Sequence, residues 1–130
     1  MADRYRDWMR QARHDLEFAM LAARESCFEW AAFVALQAAE KACKALHLSL
    51  GKMASVHELT QLLEDLPAAN RPPPDLYGRA KHLEQHYMRA RYPTMFPTGT
   101  PREHYTREQG EQAIHDAMGI IEFCHSSMPQ

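Results

Sequence analysis

Apolar residues return every three or four positions along most of this chain, the spacing that lines one side of an α-helix. Trp8, Ala12, Leu16, Ala19 and Ala23 form one such stripe and predict a first helix from about Asp3 to Glu25. From Phe28 to Leu50 the chain is apolar or alanine on most sides, which predicts a central second helix. Gly51 follows it as a natural stop. Ser55 with Glu58 three residues on has the form of a capping box and predicts the start of a third helix. Leu59, Leu62, Leu63 and Leu66 would be its buried side, with Pro67 ending it.

Ala68 to Pro74 reads as a linker, because three consecutive prolines after Arg71 favour extended backbone. Leu76, Ala80, Leu83 and Tyr87 share one face of a fourth helix predicted from about Asp75 to Ala90. Pro93, Pro97 and Pro101 then forbid a continuous helix. A fifth begins at Thr106, with Gln109 in the capping-box position and Ala113, Ala117, Ile120, Ile121 and Cys124 as its core stripe. Long helices on short links favour antiparallel neighbours. The expected fold is all-α, an up-and-down bundle of four long helices plus one short helix, forming a single domain over residues 1–130.

Composition adds limits. Apolar residues make up 45% and charged residues 25% of 130 residues, an ordinary globular balance, and strong helix formers dominate. A net charge of -2 gives no general attraction to nucleic acid or membrane, so any such binding would need a local patch. The apolar stretches are too short to span a bilayer and Met1 to Arg10 has no apolar signal core, so a cytoplasmic protein is expected. Cys27, Cys43 and Cys124 are widely spaced and read as small core residues in a reducing compartment.

Candidate chemistry is confined to a few places. Gln37, Glu40, Lys41, Lys44 and His47 make a narrow polar stripe on the second helix. It is either a solvated edge, with a Glu40–Lys44 pair, or a polar line at a groove where two lysines meet phosphate. Between Arg71 and Arg91, five basic residues face only Asp75 and Glu84, with Tyr77, Tyr87 and Tyr92 among them. Such a mixture suits phosphates and stacked bases, or it is a charged helix face over core tyrosines. His82 and His86 are four apart, but no third metal ligand is apparent. His57-Glu58 lacks the second histidine of a zinc protease, so structural histidines and no metal are expected.

Several of these features combine. The string Gln37-Ala38-Ala39-Glu40-Lys41-Ala42-Cys43-Lys44-Ala45-Leu46 resembles the second-helix signature of HEPN domains. His57-Glu58-Leu59 resembles that family's H-[DE]-L element, and Arg91-Tyr92-Pro93 resembles the RYP motif of one of its branches. Trp8, Ala12, Asp15-Leu16 and Tyr105 also fit, so the likeness runs over nearly the whole chain.

The resemblance implies a bundle of four long helices and a shorter one, usually a homodimer with a groove between subunits. It also implies a nucleotide or RNA ligand, or a minimal nucleotidyltransferase as partner, with no cofactor. On this reading Lys41 and Lys44 offer charge, Arg91 clamps phosphate, and His57 with Tyr92 shapes the groove. The alternative implied by the family is a metal-independent RNase, the toxin of a toxin–antitoxin pair, built on an R-x(4–6)-H motif. Arg79 and His86 have that spacing, whereas no histidine follows Arg89 or Arg91 at the required distance. Thr94 stands where an aspartate often follows RYP. A third possibility is a dimerisation module with no ligand.

Overall fold

The computed structural model describes residues 4–53 and 56–129. Helices α1 (Arg4–Arg24) and α2 (Phe28–Ser49) form an antiparallel hairpin, short α3 (Leu59–Glu64) follows, and α4 (Pro74–Glu84) leads into α5 (His86–Arg89). A single-turn α6 (Pro101–His104) and the long α7 (Arg107–Ser127) complete the bundle. No strand occurs among the described residues, so the all-α expectation holds.

Helix α2 is central, packing against α1, α7, α3, α4 and α5. Ala31, Ala35, Ala38, Ala42 and Ala45 are fully buried, and their short side chains let α1 and α7 come close. Deep in this core the sulfurs of Cys43 and Cys124 lie 3.8 Å apart as free thiols, joining α2 to α7. Lys41 pairs with Asp15 between α2 and α1, and Arg13 with Glu122 between α1 and α7.

The helix ends follow local chemistry. After α1 the amide of Cys27 reaches back to the carbonyl of Ala22 and that of Ser26 to Ala23, with Ser26 at a positive φ of 62°. This is a Schellman turn closed by serine where glycine is usual. Gly51 plays the same part after α2 at φ 76°. Thr106 and Gln109 form the full capping box expected at the start of α7, and Thr100 with Glu103 forms another at α6.

The third helix begins later than expected. Ser55 lies outside the described residues, and Glu58 is the extended residue before α3 rather than its third position. The capping acceptor comes from elsewhere: the Glu84 carboxylate of α4 accepts from the backbone amide of Thr60. Leu59, Leu62, Leu63 and Leu66 are buried, as their spacing predicted.

The fourth helix is interrupted at Gln85, which keeps helical angles of -64° and -18°. The residues beside it are both tied sideways, Glu84 to α3 and His86 to Tyr105. His86 is buried and Tyr87 is about half exposed (49%), so Tyr87 does not extend the core face of Leu76, Ala80 and Leu83. Its ring instead lies against Phe33 and beneath Arg91.

Candidate functional site

Helical geometry puts Phe33, Gln37, Glu40 and Lys44 on one face of α2, because they sit at i, i+4, i+7 and i+11. The face spans roughly 16 Å along the axis at 1.5 Å per residue. Two clusters stand at its ends, with a buried carboxyl between them.

At one end is Arg91. Its guanidinium lies over three rings, 4.4 Å from Tyr87, 4.7 Å from Phe33 and 4.8 Å from Tyr92. Its Nε donates to the carbonyl of Tyr87 at 2.7 Å. Proline at position 93 pushes Tyr92 into extended backbone (φ -125°, ψ 127°), which turns the chain and leaves Arg91 at the end of α5. The arginine therefore caps a helix carbonyl and still presents the rest of a planar, charged fork among aromatic faces. Trp30 meets Phe33 edge-on at 6.1 Å, and Trp30, Tyr87, Met88 and Tyr92 are all exposed.

At the other end is Lys44. Its ammonium donates to Nδ1 of His57 at 3.0 Å and sits 5.8 Å from the ring centre of Trp8. Lys41 is turned toward α1, where its ammonium meets the carboxylate of Asp15. The stripe is thus less uniform than its spacing suggested. His47 is buried and bonds the Leu62 carbonyl at 2.8 Å, which makes it a structural tie to α3.

Glu40 lies between the clusters and is buried, with Nε2 of Gln37 donating to its carboxylate at 3.4 Å. Burial pushes its carboxyl up to about 7; Lys44 and Lys41 oppose the shift and nearby Glu84 adds to it. A carboxyl raised toward neutrality by burial, with Lys44 and Lys41 near it, can donate or accept a hydrogen bond.

Arg79 and His86 are used differently. Arg79 lies across the seam between α4 and α7, where Nη1 donates to the His115 carbonyl at 3.0 Å and Nε faces Asp75 at 3.5 Å. Its guanidinium rests on the bare backbone of Gly119, where an added Cβ would collide with it. His86 is buried with Nδ1 2.6 Å from the Tyr105 hydroxyl. Burial, helped by Arg89 and His82, lowers the imidazole to about 4, and burial pushes the Tyr105 hydroxyl up to about 12. A hydroxyl kept protonated thus shares a hydrogen bond with an imidazole kept neutral. His82 Nδ1 lies 3.8 Å from the buried carboxylate of Asp116, and Gln112 donates to that carboxylate at 3.0 Å.

The basic stretch between Arg71 and Arg91 does not form one patch. Arg79 turns to α7, Arg89 lies over Phe96 at 4.7 Å, and Arg91 joins the aromatic cluster. The structure thus brings Lys44 to His57, and Arg91 to Tyr92, as two separate groups. Phe33, Trp8 and Glu40 belong to the same face. Phe33 was legible as the position one turn before Gln37, whereas the burial of Glu40 had no signal in spacing alone. No group of three or more His, Cys, Asp or Glu residues that could hold a metal ion occurs among the described residues.

Helix packing and the α2 face together define a HEPN-type bundle, and comparison with known proteins gives the same class. The chain matches the HEPN domain family over residues 5–127 and belongs to it. It is similar to TT1696 from Thermus thermophilus, at 41% identity and a TM-score of 0.94, covering 97% of this chain and 99% of that one. An archaeal HEPN homologue, ST0689, shares 32% identity with a TM-score of 0.83, covering 98% and 99%. A HEPN domain protein from Thermotoga maritima shares 31% with a TM-score of 0.76, covering 92% and 95%. Among curated proteins nothing matches. No described helix is long and apolar enough to cross a membrane.

Proposed function

We propose that this HEPN protein is a non-catalytic binding protein whose α2 face takes a nucleotide or a nucleotidyltransferase partner, and that it works as a homodimer. HEPN domains commonly form dimers. The observation that carries the reading is Arg91: a guanidinium set among three aromatic rings, at the end of a helix face that also holds Lys44 and His57. Planar charge beside exposed rings suits a phosphate next to a base. Tyr92 offers a stacking face, Lys44 adds charge beside His57, and Glu40 can supply a hydrogen bond between the two ends; Lys41 is held by Asp15 on α1.

Calorimetric titration with ATP tests this. Arg91→Lys is expected to weaken binding by about 1–3 kcal/mol, because an ammonium cannot copy the fork, and Lys44→Ala should act in the same direction. Binding unchanged in both variants would sink the proposal. Dimerisation is checked by sedimentation equilibrium at micromolar concentration, where only a 15.0 kDa species would contradict it.

The RNase reading has less support. His86 is buried and bonded to Tyr105, and Arg79 is engaged across the seam, so neither is free to meet a phosphodiester. RNA cleavage by the purified protein, lost in His86→Ala while the fold persists, would restore it.

A further inference from the structure

A second concave site lies apart from the α2 face. Where the start of α1 meets the end of α7, a cavity of about 660 Å³ opens between the two helices. That volume falls in the range of pockets that enclose small organic ligands. Its floor is apolar: Tyr5 and Met9 are buried there, and Met128 and Pro129 close one side.

The walls carry charge. Arg4, Arg6, Arg10 and Arg13 all line the cavity, with His125 opposite them on α7. These arginines are already arranged by their neighbours. The Asp7 carboxylate takes Arg4 on one oxygen (2.8 Å) and Arg10 on the other. Arg13 is held by Glu122 at 3.4 Å, and the Arg6 guanidinium stands over the Tyr5 ring at 4.9 Å. Among the described residues, the three guanidinium groups of Arg4, Arg10 and Arg13 meet two carboxylates, those of Asp7 and Glu122. The outer ends of Arg4 and Arg10 are mostly exposed, 71% and 76%, so they can turn onto an incoming anion.

We infer that this cavity binds a small phosphate-bearing molecule with an apolar or aromatic body, the phosphates meeting Arg4, Arg10 and Arg13 and the body lying on Tyr5 and Met9. Guanidinium forks match phosphate oxygens in pairs, and several at once favour a chain of phosphates over a single carboxylate. The apolar-floored, concave shape suits a small molecule rather than a nucleic-acid backbone running across an open surface. The inference is independent of the α2 reading.

The test is calorimetry on the intact protein at low salt with inorganic tripolyphosphate, ATP and adenosine as probes. Tripolyphosphate should bind, and ATP should bind this site more tightly because its base adds contact with the floor. Adenosine alone should bind weakly. The Arg4→Ala/Arg10→Ala variant should lose about tenfold or more for tripolyphosphate. Arg10→Glu, which reverses one exposed charge, should act in the same direction, with circular dichroism checking the fold of both variants. Absence of tripolyphosphate binding, or binding indifferent to Arg4 and Arg10, overturns the inference. So does a loss that follows Lys44→Ala and Arg91→Lys instead, an outcome that leaves the α2 face standing. ATP binding no tighter than tripolyphosphate in Arg91→Lys would remove the role given to the apolar floor.

Discussion

Two regions carry arginine and histidine on neighbouring parts of the same chain, and they spend them in opposite ways. On the α4–α7 seam, Arg79 and His86 are turned inward and matched to a carbonyl and a hydroxyl. On the α2 face, Arg91 lies over exposed Tyr87 and Tyr92 and partly buried Phe33, and the His57–Lys44 pair lies beside Trp8. The residue types are alike, and the difference lies in what surrounds them. A histidine whose nitrogen is already satisfied inside a core stabilises the fold, whereas an arginine with only part of its fork engaged keeps donors for a ligand.

This contrast predicts the largest effect at the seam. His86→Ala removes a packed ring and its hydrogen bond to the Tyr105 hydroxyl, and should cost about 2–4 kcal/mol in urea unfolding. A loss under about 0.5 kcal/mol would mean the seam does not depend on it.

The pH dependence separates the two regions by sign. His86 titrates at about 4 when folded against 6.5 as the ordinary value, so the unfolded chain takes the proton first as pH falls. Its contribution is full above 6.5 and is lost between 6.5 and 4. Glu40 runs the other way, at about 7 folded against 4.5, so its contribution is full below 4.5 and is lost as pH rises to 7. Each limb is worth on the order of 2–3 kcal/mol. Glu40→Gln should therefore remove the loss on the alkaline side and leave the acid limb unchanged. Stability curves that keep the same alkaline slope in Glu40→Gln would contradict the assignment.

Smaller effects follow from the arginines. Arg79→Ala gives up the bond to the His115 carbonyl and should cost about 1 kcal/mol. Arg91→Lys should cost the fold only about 0.5 kcal/mol, because the lysine chain keeps charge near the helix end. If thermal melting instead ranks Arg91→Lys above Arg79→Ala, the roles of the two arginines are reversed.

Much of this was legible in residue spacing. The alanine-rich α2, the Thr106–Gln109 cap and the core stripe of α7 all follow from local periodicity, and local rules decide them. What spacing misses is set by partners far along the chain. Glu84 caps α3 from α4, which moves the start of that helix past the expected box at Ser55 and Glu58. Tyr87 leaves the core because Phe33 and Arg91 receive it, and His86 takes the buried position. The six-residue gap between Arg79 and His86 matched a catalytic pattern, yet both side chains were committed by α7 and Tyr105. Arg4, Arg6, Arg10 and Arg13 fall within three turns of one helix, but the hollow they surround exists only once α7 returns beside α1.

Amide chemical-shift mapping during ATP titration tests the central contrast most directly, since it reports both regions at once. Large, saturable shifts are predicted around Gln37, Lys44, His57 and Arg91, with Arg79, His82, His86 and Asp116 of the seam unmoved. Shifts centred on Arg79, His82 and His86, with the α2 face silent, would contradict it.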